Sequence, residues 1–119
     1  MVATPQHLHA LDLARSGRVA EAEAIYRQIL AADPSDAEAN HFFGVLATQN
    51  SDTVEGERLF RQAVEARPDW AKAWNSLGGA LFAQQMFAEA TEVLSEAVRL
   101  EPDCQEWHTN LGLAQRGAG

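Results

Sequence analysis

Apolar residues along this chain recur at intervals of three and four, the spacing of one face of a helix. Trp74, Leu77, Gly78 and Leu81 fall at i, i+3, i+4 and i+7 and predict a single buried stripe. The same stripe stands earlier as Asn40, Phe43, Gly44 and Ala47, and later, at an equal interval, as His108, Leu111, Gly112 and Gln115. A second set lies between them: Ala22, Tyr26 and Ile29, then Gly56, Phe60 and Ala63, then Ala90, Leu94 and Ala97. Small residues in these stripes let helix axes approach, and bulky ones fill the space beside them.

A fixed period of this length indicates a stack of repeated units. Pro34, Pro68 and Pro102 mark the period, and each precedes a residue able to cap a helix: Ser35, Asp69 and Asp103. Ser35 with Glu38 and Asp103 with Glu106 have the spacing of a capping box. Halfway through each unit Val19-Ala20-Glu21-Ala22, Thr53-Val54-Glu55-Gly56 and Phe87-Ala88-Glu89-Ala90 predict the start of a second helix. Breaks precede them at Ser16-Gly17-Arg18, Gln49-Asn50-Ser51-Asp52 and Gln84-Gln85-Met86. A trailing helix from about Cys104 to Arg116 is expected to cover the last hairpin, with Leu111 as its buried anchor and Trp107 at the rim. Met86, Phe87 and Trp70 are expected to pack between hairpins.

These residues resemble the tetratricopeptide repeat pattern, Trp-x2-Leu-Gly-x2-Tyr followed by Ala-x3-Phe and Pro. The third unit fits best, through Trp74, Leu77, Gly78, Leu81, Ala90, Leu94 and Pro102. The first departs most, with Gln6, His9 and Ala10 in the Trp, Leu and Gly places. The resemblance implies an all-α, right-handed α-solenoid of three helix-turn-helix repeats plus a C-terminal capping helix. The whole chain is then one domain, with repeats at about 3–36, 37–70 and 71–104 and a partial fourth repeat or cap at 105–117.

The resemblance further implies that the first helices line a concave groove. One step around each helix from its buried stripe stand His7, Leu11 and Ala14; His41, Val45 and Thr48; Asn75, Gly79 and Phe82; and Thr109, Leu113 and Arg116. Leu8 and Phe42 extend this face. The expected partner-binding residues are His7, Leu11, His41, Phe42, Val45, Lys72, Asn75, Phe82 and Leu113. Glu38, Lys72 and Glu106 share one place in successive repeats, which suggests a surface ion-pair ladder worth well under ~1 kcal/mol per pair. Some family members grip a chaperone's C-terminal carboxylate with Lys and Asn side chains. Only Lys72 matches such a place here, while His7, Leu11, Phe42 and Ser76 occupy the others, which disfavours that ligand.

Composition narrows the function further. The chain has 119 residues, enough for one domain or short solenoid, and 46% hydrophobic content, which supports an ordered fold. A net charge of -8 with scattered cations disfavours nucleic acid. No segment has the length of a membrane span or the pattern of a signal peptide, so no membrane role is expected and the default location is cytoplasmic. A lone Cys104 excludes an internal disulfide. Cys104 and His108 share a helix face at i, i+4, but structural zinc takes four ligands, so neither a metal nor any other cofactor is expected. His7 and His41, one period apart, read as groove polarity. The acid pairs Glu21 and Glu23, and Glu55 and Glu57, suit the positive ends of helix dipoles better than acid–base chemistry.

The leading expectation is therefore a non-enzymatic module that binds a protein or peptide in its groove. A second reading makes the chain a substrate-recruiting arm of a larger enzyme, such as a glycosyltransferase or sulfotransferase. A third is structural self-assembly, with weak homo-oligomers formed through exposed stack ends.

Overall fold

The computed structural model describes residues 4–119. Among them lie seven helices and no strand: α1 (Pro5–Arg15), α2 (Val19–Ala32), α3 (Ala37–Gln49), α4 (Thr53–Ala66), α5 (Ala71–Ala83), α6 (Phe87–Leu100) and α7 (Gln105–Ala118). The second helices open at Val19, Thr53 and Phe87, where the repeated sequence places them.

The first helices begin one residue later than the capping pattern suggests. Asp36, Trp70 and Cys104 are the N-cap residues, instead of Ser35, Asp69 and Asp103. Pro34 and Ser35 form the middle of a turn closed by the Asp36 amide donating to Asp33 O, and Trp70 N–H closes the same turn onto Arg67 O. Proline at the second position of a turn has its φ preset for it, so the turn takes the residues expected to cap. Asp36 accepts from Ala39 N–H instead, and the boxes expected at Ser35–Glu38 and Asp103–Glu106 do not form. The capping box that does form joins Thr4 and His7 at the start of α1.

Each hairpin turn has one geometry. Gly17, Ser51 and Gln85, at successive repeats of the period, take positive φ values of 82°, 66° and 62°. The following amides, from Arg18, Asp52 and Met86, each donate back to a carbonyl of the preceding helix: Leu13, Ala47 and Leu81. This left-handed residue ends the first helix and satisfies one of its free carbonyls.

Packing is continuous along the stack. Ala10, Leu13, Ala22, Tyr26, Ile29, Phe43 and Leu59 form one cluster, and Phe60, Leu77, Leu81, Ala90, Leu94 and Ala114 form the next. The small members admit their neighbours closely: a Cβ on Gly44 would meet the Phe60 ring at 2.7 Å, and one on Gly78 would meet Leu94 at 2.4 Å. Side chains such as Leu59, Leu77 and Leu94 are fully buried, each worth roughly 1.5–3 kcal/mol.

The capping helix is anchored differently from the expectation. Trp107 is buried against Ala71 and Ala97, while Leu111 is only partly covered. Trp107 projects back onto the junction of α5 and α6, whereas Leu111 packs, half-buried, against the cluster that holds Leu77, Leu94 and Ala114. Met86 is exposed at 41%, so the last hairpin turn leaves it in solvent instead of packing it between helices. Trp70 does pack against the core, half-buried, with its ring centroid 4.7 Å from that of His41 and the Arg67 guanidinium 4.5 Å from its ring centroid.

Candidate functional site

Backbone contacts define an inside and an outside. The first helices α1, α3, α5 and α7 touch in succession, whereas among the described residues α2, α4 and α6 make no backbone contact with one another. The stack therefore bends towards its first helices, which form the inner wall.

Along that wall one repeat position reads Val45, Gly79 and Leu113. Val45 is half-buried on α3, Gly79 is exposed on α5, and Leu113 is exposed at 41% on α7. A hollow of about 130 Å³ opens between α5, α6 and α7, lined by Gly78, Gly79, Phe82, Leu94, Asn110 and Leu113. An apolar cavity of about 150 Å³ accepts a benzene-sized group, so this hollow has room for one side chain. A second hollow, of about 330 Å³, lies across α5, with Val45, Thr48, Phe60, Ser76 and Ala80 among its lining residues and Gly79 shared between the two. Phe82 is 36% exposed and meets Phe87 edge-on at 5.2 Å. Phe82 and exposed Leu113 place an apolar surface at the first hollow.

The two inner-wall histidines stand elsewhere. His7 is 7% exposed: its Nε2 donates to Asp36 Oδ1 at 2.8 Å, and its Nδ1 accepts from the Thr4 hydroxyl at 2.7 Å. It ties the first helix to the start of the third. His41 has no exposed surface. Its Nε2 lies 2.9 Å from Ser76 Oγ, and Phe42, Phe60 and Trp70 surround the ring. Burial first, and nearby Lys72 second, push its pKa down to about 4, so the imidazole is neutral at pH 7. Neither histidine presents a side chain to a partner, because aromatic and capping residues from neighbouring helices cover faces that a single helix leaves open.

Of the other expected contact residues, Leu11 and Phe42 are half-buried and Lys72 is exposed. Asn75 Oδ1 accepts from Asn110 Nδ2 at 3.2 Å. Asn110 joins the lining of the first hollow without having been read as a contact residue from the sequence, and buried Leu94 forms its floor. The 35-residue interval that pairs His41 with Ser76 and Asn75 with Asn110 is the signal that carries Asn110.

Charge is sorted between the two faces. Arg27, Arg58, Arg61 and Arg99 of the second helices are all ion-paired, with Glu23, Glu55, Glu57 and Glu96 among their partners. Glu38 lies 4.0 Å from Arg67, so the ladder expected with Lys72 and Glu106 is replaced by a pair across the turn before α5. Arg15, Lys72 and Arg116, the cations of the first helices, have no ion pair among the described residues. At the start of α7 His108 Nε2 donates to Pro102 O at 2.7 Å. The acid pairs of the second helices serve the same ion pairs: Glu21 meets Arg18, and Glu57 meets Arg61.

Stacked hairpins with an uncovered inner wall define a helical-repeat solenoid. Two models of the tetratricopeptide repeat match, over residues 7–69 and 47–114, and the chain belongs to that family. A search among curated proteins finds no significant match. Among solved structures, YrrB, described as a TPR protein with an unusual peptide-binding site, superposes with a TM-score of 0.91 at 24% identity, covering 99% of this chain and 61% of that one. The first TPR domain of Spaghetti (RPAP3), bound to an HSP90 peptide, gives 0.89 at 21% identity, covering 95% and 90%. An O-GlcNAc transferase mutant from Thermobaculum terrenum gives 0.83 at 28% identity, covering 95% of this chain and 23% of that one. The chain thus spans under a quarter of the transferase and about three-fifths of YrrB.

Proposed function

We propose that this chain is a non-catalytic, cytoplasmic module whose inner wall holds a segment of another protein. The observation that carries the reading is the uncovered hollow beside Phe82 and Leu113, an apolar surface that folding leaves open on the side the first helices share. Binding buries partner side chains there and against Leu11, Phe42 and Val45, while Asn75, Asn110 and Lys72 supply polar contacts that set register. The peptide complexes of structural neighbours such as Spaghetti support the same use of the fold.

Phe82→Glu tests it. Peptides selected from a random displayed library on the wild type are expected to lose at least about tenfold in affinity for the variant, about 1.4 kcal/mol. Helical content by circular dichroism stays unchanged, because Phe82 lies at the surface. Equal affinity for both proteins removes the inner wall as the binding surface.

A second reading, favoured by the likeness to part of the O-GlcNAc transferase, makes this wall the substrate-recruiting arm of an enzyme. A catalytic segment encoded in the same reading frame separates it from the first.

A further inference from the structure

Helix α7 ends the row of first helices, and its inner-wall face carries charge in a pattern of its own. Glu106 in its first turn and Arg116 in its last are its only acid and its only arginine. Both are exposed, and neither has an ion pair among the described residues. Of the other first helices, α3 carries only Glu38 and α5 only Lys72, while Asp12 and Arg15 of α1 stand within one turn of each other. Opposite charges at opposite ends are therefore particular to α7.

Leu113 lies between them on the same face, within about 60° of each at about 3.6 residues per turn. It is 41% exposed, and beside it opens the hollow of about 130 Å³ that has room for one side chain. An exposed knob and a hollow on one patch are what a two-fold contact requires, because each copy must offer both halves of the fit. Charge then sets the direction. A parallel pair of α7 helices would set Glu106 against Glu106 and Arg116 against Arg116. An antiparallel pair centred between Asn110 and Leu113 sets the second copy's Leu113 level with Asn110, on the lining of the hollow. It also brings the second copy's Arg116 within one residue, about 1.5 Å along the axis, of the level of Glu106. The two-fold axis makes that ion pair twice, and antiparallel helix dipoles favour the same direction.

We propose that this face of α7 is a self-association site. A second copy docks antiparallel, seats its Leu113 in the hollow beside Phe82 and exchanges two Glu106–Arg116 ion pairs. Lys72, one helix away at the repeat position of Glu106, and the net charge of -8 on each copy oppose the contact. A helix of 14 residues is about 21 Å long, so the interface is small and belongs with transient ones. Self-association goes beyond the peptide-binding reading and does not depend on it, but it covers the same hollow and so masks it as concentration rises.

Sedimentation velocity of the whole chain, at low salt and over a series up to about 1 mM, tests it. The wild type is expected to show a reversible monomer–dimer equilibrium. Leu113→Glu, Glu106→Arg and Arg116→Glu are each expected to weaken it at least about tenfold. Glu106→Arg combined with Arg116→Glu restores both pairs with their signs exchanged and is expected to dimerise within about threefold of the wild type. Helical content stays unchanged in all four variants, because the three side chains lie at the surface. A wild type that is monomeric throughout, a Leu113→Glu variant that dimerises as well as the wild type, or a double variant as weak as the single ones each overturns the proposal. A strictly monomeric wild type that still binds library-selected peptides removes self-association alone and leaves the inner wall as a partner's site.

Discussion

His41 shows how one residue changes meaning once its surroundings are known. On its own helix it faces outwards; in the stack Phe60 and Trp70 close over it and leave Nδ1 without a partner. Its pKa falls from 6.5 to about 4 on folding, so the unfolded chain takes up a proton that the folded chain refuses. Stability that is fully present above pH 6.5 is therefore lost as pH falls towards about 4, by up to about 3 kcal/mol. Urea unfolding across this range should show the slope in the wild type and a flatter one in His41→Gln, which keeps a polar contact with Ser76 but has nothing to titrate. An equal slope in both proteins would place the proton uptake elsewhere. Tyr26 is a second buried polar residue without a partner for its hydroxyl, and burial pushes its pKa up to about 12.

At the scale of elements, the hairpin turns repeat more faithfully than their sequences. Gly17 takes the left-handed conformation freely, but Ser51 and Gln85 hold the same conformation against the contact between Cβ and carbonyl that disfavours it, roughly 1–2 kcal/mol for a non-glycine residue. The turn is kept because it lets each first helix fold back on its partner and satisfies a carbonyl at its end. Gln85→Gly is accordingly expected to raise the unfolding free energy by about 0.5–1 kcal/mol, in spite of the extra freedom that glycine gives the unfolded chain. Thermal or urea unfolding measures it, and a loss of stability of that size would show that the left-handed residue is not strained. The break at Gln84-Gln85-Met86 was legible only weakly, since no glycine, asparagine or proline marks it. Helix starts were legible to within one residue, and the error had one cause: the proline-led turn uses Ser35 before the helix can.

The whole molecule is an elongated block of 42 × 28 × 23 Å in which each hairpin is buried only by its neighbours. Its ends therefore matter more than those of a globular domain. At the N-terminal end His7 and Asp36 bind α1 to the second repeat. At the C-terminal end Trp107 holds α7 over Ala71 and Ala97. Trp107→Ala is expected to destabilise by about 3–5 kcal/mol. Hydrogen exchange should then show α7 losing protection ahead of α3 and α4, as nearest-neighbour stacking requires. Uniform loss of protection over all helices would indicate a single cooperative core instead.

The repeat period, the helix type of every element and the buried pairing of small with bulky residues were set by the chain alone. They depend on neighbours close along the chain, within a helix or between the two helices of one hairpin, as Gly44 with Phe60 and Gly78 with Leu94 show. Which outward residues stay outward was decided only by tertiary packing. His7 and His41 carry the same periodic address as Asn75 and Thr109, yet capping and aromatic side chains from separate helices seal the first two and leave Thr109 in solvent. Helical phase is local, fixed by about 3.6 residues per turn, whereas exposure depends on surfaces contributed from a whole repeat away. For the same reason the two hollows that share Gly79 exist only where α3, α4, α6 and α7 supply their other walls.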